Sequence, residues 1–181
     1  MSEKYKFNDP NGIYFVTSTV VGWVDLFTRV ELKQTVIESL RFCQREKGLL
    51  IHAWCLMPSH LHMIISSDGK PLTDIMRDFK KFTARQIIKQ VDTVNESRKD
   101  WILKLFAEIA DHLARIENYK VWQDGNHPIA LMKPKFLRQK LDYIHNNPVA
   151  AEIVGEPEHY LYSSARDYHT SQKGFLVIDY L

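Results

Sequence analysis

Apolar positions along this chain switch several times between the period of a strand and the period of a helix. Residues 13–20, Ile-Tyr-Phe-Val-Thr-Ser-Thr-Val, are β-branched and aromatic and predict a first strand. A loop follows through Gly22 and Asp25. Over 29–47, Val30, Leu32, Val36, Ile37, Leu40 and Phe42 recur at helical spacing, and Gly48 supplies a left-handed end. A second strand is expected over 49–57. Pro58-Ser59 turns it into a third strand that starts at His60, as a hairpin whose tight turn fixes the register.

From Pro71 to about Val91 the helical period returns, with Ile75, Phe79, Phe82 and Ile87 as the expected buried stripe. Residues 92–117 begin polar and then read as another helix from Trp101 to Ile116; mixed acids and bases suggest an insertion or lid. Tyr119-Lys120-Val121-Trp122-Gln123 and His127-Pro128-Ile129-Ala130-Leu131 are expected to be short strands. A last strong helix is expected over 133–147, with Phe136, Leu137, Leu141 and Ile144 as its apolar contacts. Pro134 suits its first turn, and Pro148 is expected to stop it and to bias Asn147 away from helical geometry. The tail has little periodicity and should be packed on by Tyr160, Tyr162, Tyr168, Phe175 and Tyr180. The order of elements predicts an α+β fold. It is a ferredoxin-like antiparallel sheet with helices on one face and the last helix over the other.

The strand period gives His60-Leu61-His62 its meaning. Residues two apart in a strand point the same way, so both imidazoles project side by side while Leu61, Met63 and Ile65 pack opposite. Two neutral imidazoles held rigidly are half of a divalent-metal site, although such a pair also occurs as mere polarity on a strand. Tyr143 and Asn147 stand four apart and share a helix face.

Composition narrows the class. At 181 residues the chain fits one domain, with a net charge of +2 that by itself argues for no polyanion. Local charge says more. Arg77, Lys81 and Arg85 fall at four-residue intervals in one row, with Lys80 and Lys89 beside them and Asp78 the one acid among them. Lys133, Lys135, Arg138 and Lys140 make the last helix basic too. Cys43 and Cys55 lack metal-ligand spacing and suit two free thiols in a reducing cytosol. Neither a signal peptide nor a run long enough to span a bilayer is visible, so a cytoplasmic protein is expected.

Taken together, these residues resemble the single-tyrosine transposases of the His-hydrophobe-His class (insertion-sequence 200-like), and most of all the REP-associated tyrosine transposases. The resemblance runs from Tyr14-Phe15-Val16-Thr17 through Met57-Pro58-Ser59-His60-Leu61-His62, Phe79-Lys80-Lys81-Phe82-Thr83 and Val121-Trp122-Gln123. It continues with Tyr143-Ile144-His145-Asn146-Asn147-Pro148 and Tyr162-Ser163-Ser164-Ala165, and so covers about 13–168. It implies cleavage and rejoining of single-stranded, hairpin-flanked DNA through a covalent 5′-phosphotyrosine. Tyr143 would be the nucleophile, and His60, His62 and Asn147 the ligands of Mg²⁺ or Mn²⁺; imidazole softness would also admit Zn²⁺ or Ni²⁺ in vitro.

Arg77, Lys80, Lys81, Arg85, Lys133, Lys135 and Arg138 would grip the DNA backbone, on a nucleoid-associated monomer or homodimer. The rivals are a domesticated protein that grips hairpin DNA or RNA and no longer cuts, a metal hydrolase on the same half-site, and a replication or relaxase nuclease. Tyr119 is the rival nucleophile. His112, His127 and His145 are expected to be structural or surface residues, and Trp54 and Trp122 core.

Overall fold

The structure, a computed structural model, describes residues 6–93, 96–111 and 119–181. Its elements in chain order are β1 (Tyr14–Thr19), α1 (Val30–Lys47), β2 (Leu49–Leu56), β3 (His60–Ser67), α2 (Leu72–Thr93), α3 (Lys99–Asp111), β4 (Ile129–Ala130), α4 (Pro134–Ala150) and α5 (Ala165–His169). The four strands form one antiparallel sheet in the order β2-β3-β1-β4. This is the α+β sandwich that the alternation of periods predicts.

Strand alternation divides the core in two. Tyr14, Val16, Leu61, Met63 and Ile65 point to one face, where Leu32, Val36 and Leu40 of α1 and Ile75, Phe79 and Ile87 of α2 cover them. Phe15, Ala53, Cys55 and Ile64 point to the other, where they meet Leu131 and Ile144, with Leu137 and Leu141 alongside. Helix α4 therefore covers the sheet face opposite α1 and α2. At about 25 cal/mol per Å² of apolar surface, burial on both faces fixes which side of β3 is which, because a one-residue slip would invert it.

Gly48 ends α1 in the left-handed region, at φ 72°. A Cβ there would also stand 2.7 Å from the amide nitrogen of Gly69, so both backbone angle and space require glycine. Trp54 and Trp122 are core residues, as expected, and Cys43 and Cys55 are free and buried.

Some expectations change. Helix α4 does not stop before Pro148 but runs through it to Ala150. Pro148 lacks only an amide, and it is buried with Ile144 and His145 against the sheet, so packing carries the last turn past the missing hydrogen bond. Val30, Phe42 and Phe82 are exposed and, with Glu38 and Gln86, line an apolar groove of about 800 Å³ between α1 and α2. Phe136 is exposed as well. Around Trp122 there is a single bridge to Val20 in place of a strand, and the later strand is only Ile129–Ala130. In the tail Tyr162 is buried, whereas Tyr180 stays exposed and donates its hydroxyl to the Asp167 carbonyl. His112 lies outside the described residues. Among the described residues no helix is long and apolar enough to cross a membrane.

The segment expected to be an insertion has a structural task. Glu96, whose side chain is almost wholly buried, binds Arg29 at 3.1 Å and Arg98 at 3.1 Å, and Arg98 also pairs with Asp25. The stretch before α3 is thereby tied to the loop between β1 and α1. Hydrogen bonds from Arg98 lead in holding the Glu96 carboxyl down to about 2, from its usual 4.5. Because the folded state lowers this pKa, the stabilisation is fully present above pH 4.5 and is lost as pH falls toward 2. Glu96→Gln leaves two half-exposed guanidiniums, one of them still paired with Asp25, facing a neutral amide and is expected to cost about 1 kcal/mol. Urea unfolding at pH 7 checks it, and the loss should shrink at pH 3.

Candidate active site

The site is assembled by the β2–β3 hairpin, by β1 and by α4. Met57 N–H donates to the His60 carbonyl across the Pro58-Ser59 turn, at 2.8 Å, so His60 is the first residue of β3. His60 and His62 then rise from the same face, with ring centroids 4.6 Å apart. His62 is opposite Thr17 on β1 and Cys55 on β2. Only 6% of it is exposed.

Each imidazole is held through Nδ1. Thr17 Oγ1 lies 2.9 Å from Nδ1 of His62, and Ser59 Oγ lies 3.1 Å from Nδ1 of His60. In the tautomer with the proton on Nδ1, the ring donates to the hydroxyl and Nε2 offers its lone pair. Phe15 stacks on His62 at 5.5 Å and limits its rotation. Burial first, then the positive neighbourhood of His60 and Lys140, lowers the His62 pKa to about 3. Burial lowers that of His60 as well, against a hydrogen bond with Asn147 that raises it. At neutral pH both rings are uncharged, the state a metal requires.

Tyr143 reaches this pair from α4. Its hydroxyl stands 3.5 Å from Nε2 of His62, and its ring lies edge-on to that imidazole at 5.2 Å. It is 46% exposed, so the hydroxyl is open to a ligand from solvent. Asn147, one turn on, keeps helical geometry within α4 and stays on the same face, which is what brings its amide to His60. The structure thus gathers all four residues of the expected centre. Among the described residues no group of three His, Cys, Asp or Glu side chains comes together, so a cation here would rest on two imidazoles and an amide. That donor set is neutral and leaves positions open for phosphate oxygen and water, which suits a cation that binds an anionic substrate.

The expected DNA-binding residues divide. Lys133, Lys135 and Arg138 are exposed on the helix of Tyr143. Lys81 and Arg85 are exposed on α2, across the sheet. Arg77 is exposed but engaged, at 2.6 Å from Asp74 and 3.0 Å from Asp78. Lys80 turns inward: its ammonium donates to the carbonyls of Gln123, at 3.2 Å, and Gly125. Burial lowers its pKa to about 8. Tyr119 lines the groove beside α2 and not the imidazole face. His145 is buried and bonded to Ser164 Oγ at 2.8 Å, as a structural histidine.

Three neighbours of the site have no role in the motif reading. Lys140 sits over the rings of Phe15 and Tyr143, at 4.4 and 5.2 Å. Its place three residues before Tyr143 on one helix was the available signal. Thr17 is found only through strand pairing. Trp23 lies edge-on to His60 at 5.6 Å from a loop that no periodicity marks. Were His62 a metal ligand, Thr17→Val would lower the metal affinity by about 10- to 100-fold, the usual cost of losing an outer-shell partner of a ligating histidine. Calorimetric titration with Mn²⁺ at pH 7.5 is the check.

Comparison with known proteins places this site in context. The family model described as "Transposase IS200 like" matches residues 24–119, which is 96 of 181. The match takes in His60 and His62 and ends before Tyr143. A solved REP-associated tyrosine transposase, bound to a REP hairpin, shares the fold over 100% of this chain and 94% of its own, with a TM-score of 0.62 and 21% identity. A chain from Deinococcus radiodurans with a provisional transposase assignment aligns over 80% of this chain and 97% of its own. Its TM-score is 0.47 at 14% identity, a likeness too loose to define a shared fold. No curated protein matches the chain at a significant level.

Proposed function

The chain belongs to the IS200-like transposases, and we propose on that premise that it cleaves and rejoins single-stranded DNA with Tyr143 as nucleophile. The observation that carries this reading is the Tyr143 hydroxyl, 3.5 Å from Nε2 of His62 above a desolvated imidazole pair. It joins two motifs that lie 81 residues apart in the chain.

A phosphodiester is anionic and repels nucleophiles. Mg²⁺ or Mn²⁺ on His60, His62 and Asn147 would offset that charge at the non-bridging oxygens. The protein's own share is placement. The Tyr143 oxygen, phosphorus and departing 3′-oxygen must lie roughly in line, and α4 fixes one end of that line. A bond forms between the Tyr143 oxygen and phosphorus, and the bond from phosphorus to the 3′-oxygen breaks. The phenolic proton passes to water on the open side of the site, and the departing oxygen takes one from water. The product is a 5′-phosphotyrosine and a free 3′-hydroxyl. In the return step a 3′-hydroxyl attacks the same phosphorus and Tyr143 leaves as the better leaving group, so rejoining consumes no nucleotide cofactor.

Tyr143 meets a histidine of its own chain, an arrangement suited to action within one subunit. The substrate is a single strand flanked by a hairpin, as the hairpin held by the structural neighbour suggests. Lys133, Lys135 and Arg138 take backbone phosphates next to the cleavage point. Lys81 and Arg85 supply a second basic surface on the far side of the sheet, and affinity should fall steeply with salt. The test is covalent trapping: end-labelled single strands from beside the chain's own gene are incubated with Mn²⁺ and run on a denaturing gel. A slow protein–DNA band that EDTA abolishes is the expected result. Tight hairpin binding that persists in EDTA, with no band, would make the chain a hairpin-gripping protein that does not cut.

A further inference from the structure

We propose that Trp23 is the base-stacking platform of this site, taking the unpaired base of the nucleotide whose 3′-oxygen departs. The proposal rests on the transesterase reading above and names a residue outside its motifs. The chain has four tryptophans. Trp54 and Trp122 are buried, Trp101 is on α3, and Trp23 is 63% exposed at the edge of the imidazole pair.

The rings run in order. Trp23 is edge-on to His60 at 5.6 Å, His60 to His62 at 4.6 Å, and His62 to Tyr143 at 5.2 Å. The nucleophile and the indole thus flank the imidazole pair from opposite ends. A phosphate seated over the pair and attacked from the Tyr143 end must release its leaving oxygen toward the other end, because displacement is in line. The nucleoside that carries this oxygen then comes to lie beside Trp23. An exposed aromatic face stacks on any unpaired base and tolerates any sequence.

The backbone supports the assignment. Gly22 and Trp23 both lie in the left-handed region, at φ 64° and 55°, and a bulky residue rarely adopts it. The surroundings hold the turn in that conformation. Trp23 N–H donates to the Val20 carbonyl at 3.1 Å, and Val21 and Val24 are buried on either side. A Cβ on Gly22 would meet Leu105 of α3 at 3.1 Å. Phe27 N–H binds the Pro58 carbonyl at 2.8 Å, which ties the same loop to the histidine hairpin. A strained turn, clamped in place, presents its large side chain to solvent instead of to the core. Such strain collects at ligand sites.

The experiment uses the full chain carrying Trp101→Phe, so that Trp23 is its exposed fluorophore, and Tyr143→Phe, so that binding is read without reaction. It is titrated with single strands from beside the chain's own gene in which one base at a time is replaced by an abasic site. Intact single strands should quench the indole, and Trp23→Ala should weaken binding roughly tenfold. One abasic position should cost the parent protein the same factor and cost Trp23→Ala nothing more, whereas Trp23→Tyr retains most of the affinity. Trp23→Leu, which keeps apolar bulk without a π face, should behave as Trp23→Ala and covers the case in which alanine upsets the turn. Equal affinity with and without Trp23, or abasic costs that Trp23→Leu leaves unchanged at every position, would overturn the proposal. With Tyr143 present, a covalent band that forms normally in Trp23→Leu would overturn stacking and leave the transesterase standing. No band from any variant, with the abasic coupling intact, would overturn the transesterase and leave the platform.

Discussion

Tyr143→Phe is expected to abolish the covalent protein–DNA species while leaving binding of the same strand nearly unchanged. The substitution removes one oxygen. Its ring keeps its place against Phe15, at 6.0 Å, and under Lys140. Among the described residues the hydroxyl makes only the long contact to His62, so α4 does not depend on it. What disappears is the atom that bonds to phosphorus, and loss of a nucleophile generally costs a rate factor on the order of 10⁴ or more. A denaturing gel reads the covalent band, and a gel shift under native conditions reads affinity, which should stay within about twofold. A band of undiminished intensity would move the nucleophile elsewhere. Tyr119 is the other candidate from the sequence, but it lies in the groove beside α2 and would require α2 and its neighbouring loop to rearrange.

How much of this site was legible in the chain depends on the period of each element. His60 and His62 fall on one face because alternation in a strand admits two faces only, and the Pro58-Ser59 turn fixes which residue begins β3. Tyr143 and Asn147 follow equally from the helix period, and it is the continuation of α4 through Pro148 that keeps them together. Local proline rules predict the opposite. They describe what the chain prefers when nothing packs on it, and here Pro148 is buried.

The apolar stripe of a helix has a centre that sequence gives and an edge that it does not. Ile75, Phe79 and Ile87 are buried, but Phe82 sits at the margin and opens onto the groove, as do Val30 and Phe42 on α1. The basic row shows the same limit. Periodicity aligned Arg77, Lys81 and Arg85, but it could not show that Asp74 and Asp78 engage Arg77 or that Lys80 serves the carbonyls of another loop. Thr17 and Trp23 reach the site from a strand and a loop. Their nearness to it is a product of the sheet and its loops and has no local signature, whereas Lys140 is marked by its place three residues before Tyr143 on α4.

The imidazole pair should prove as indispensable as the phenol, by a route that can be measured without DNA. His62→Ala removes the more deeply buried ring and leaves Thr17 facing a gap. It is expected to lower Mn²⁺ affinity by more than the roughly 100-fold that outer-shell changes reach. It should also eliminate the covalent band, whereas His62→Gln should restore a little of each. Protons tell a ligand from a merely packed histidine. Burial holds the His62 pKa near 3 and also lowers that of His60. His62 should therefore release no proton when Mn²⁺ binds between pH 8 and pH 6.5, and any weakening of the affinity over that range comes from His60.

Folding has its own dependence. A histidine buried neutral lowers stability wherever the unfolded chain binds the proton and the folded chain does not. For His62 the contribution is intact above the usual 6.5 and is lost as pH falls from there toward 3. Removing the ring should flatten that part of the pH–stability curve, while His145, whose pKa burial lowers to about 4, His52 and His60, which burial lowers as well, and Glu96 at the acid end supply the slope that remains. Unchanged Mn²⁺ binding in His62→Ala would mean that the cation is held elsewhere. A histidine that only packed would alter the stability curve and leave the Mn²⁺ titration where it was.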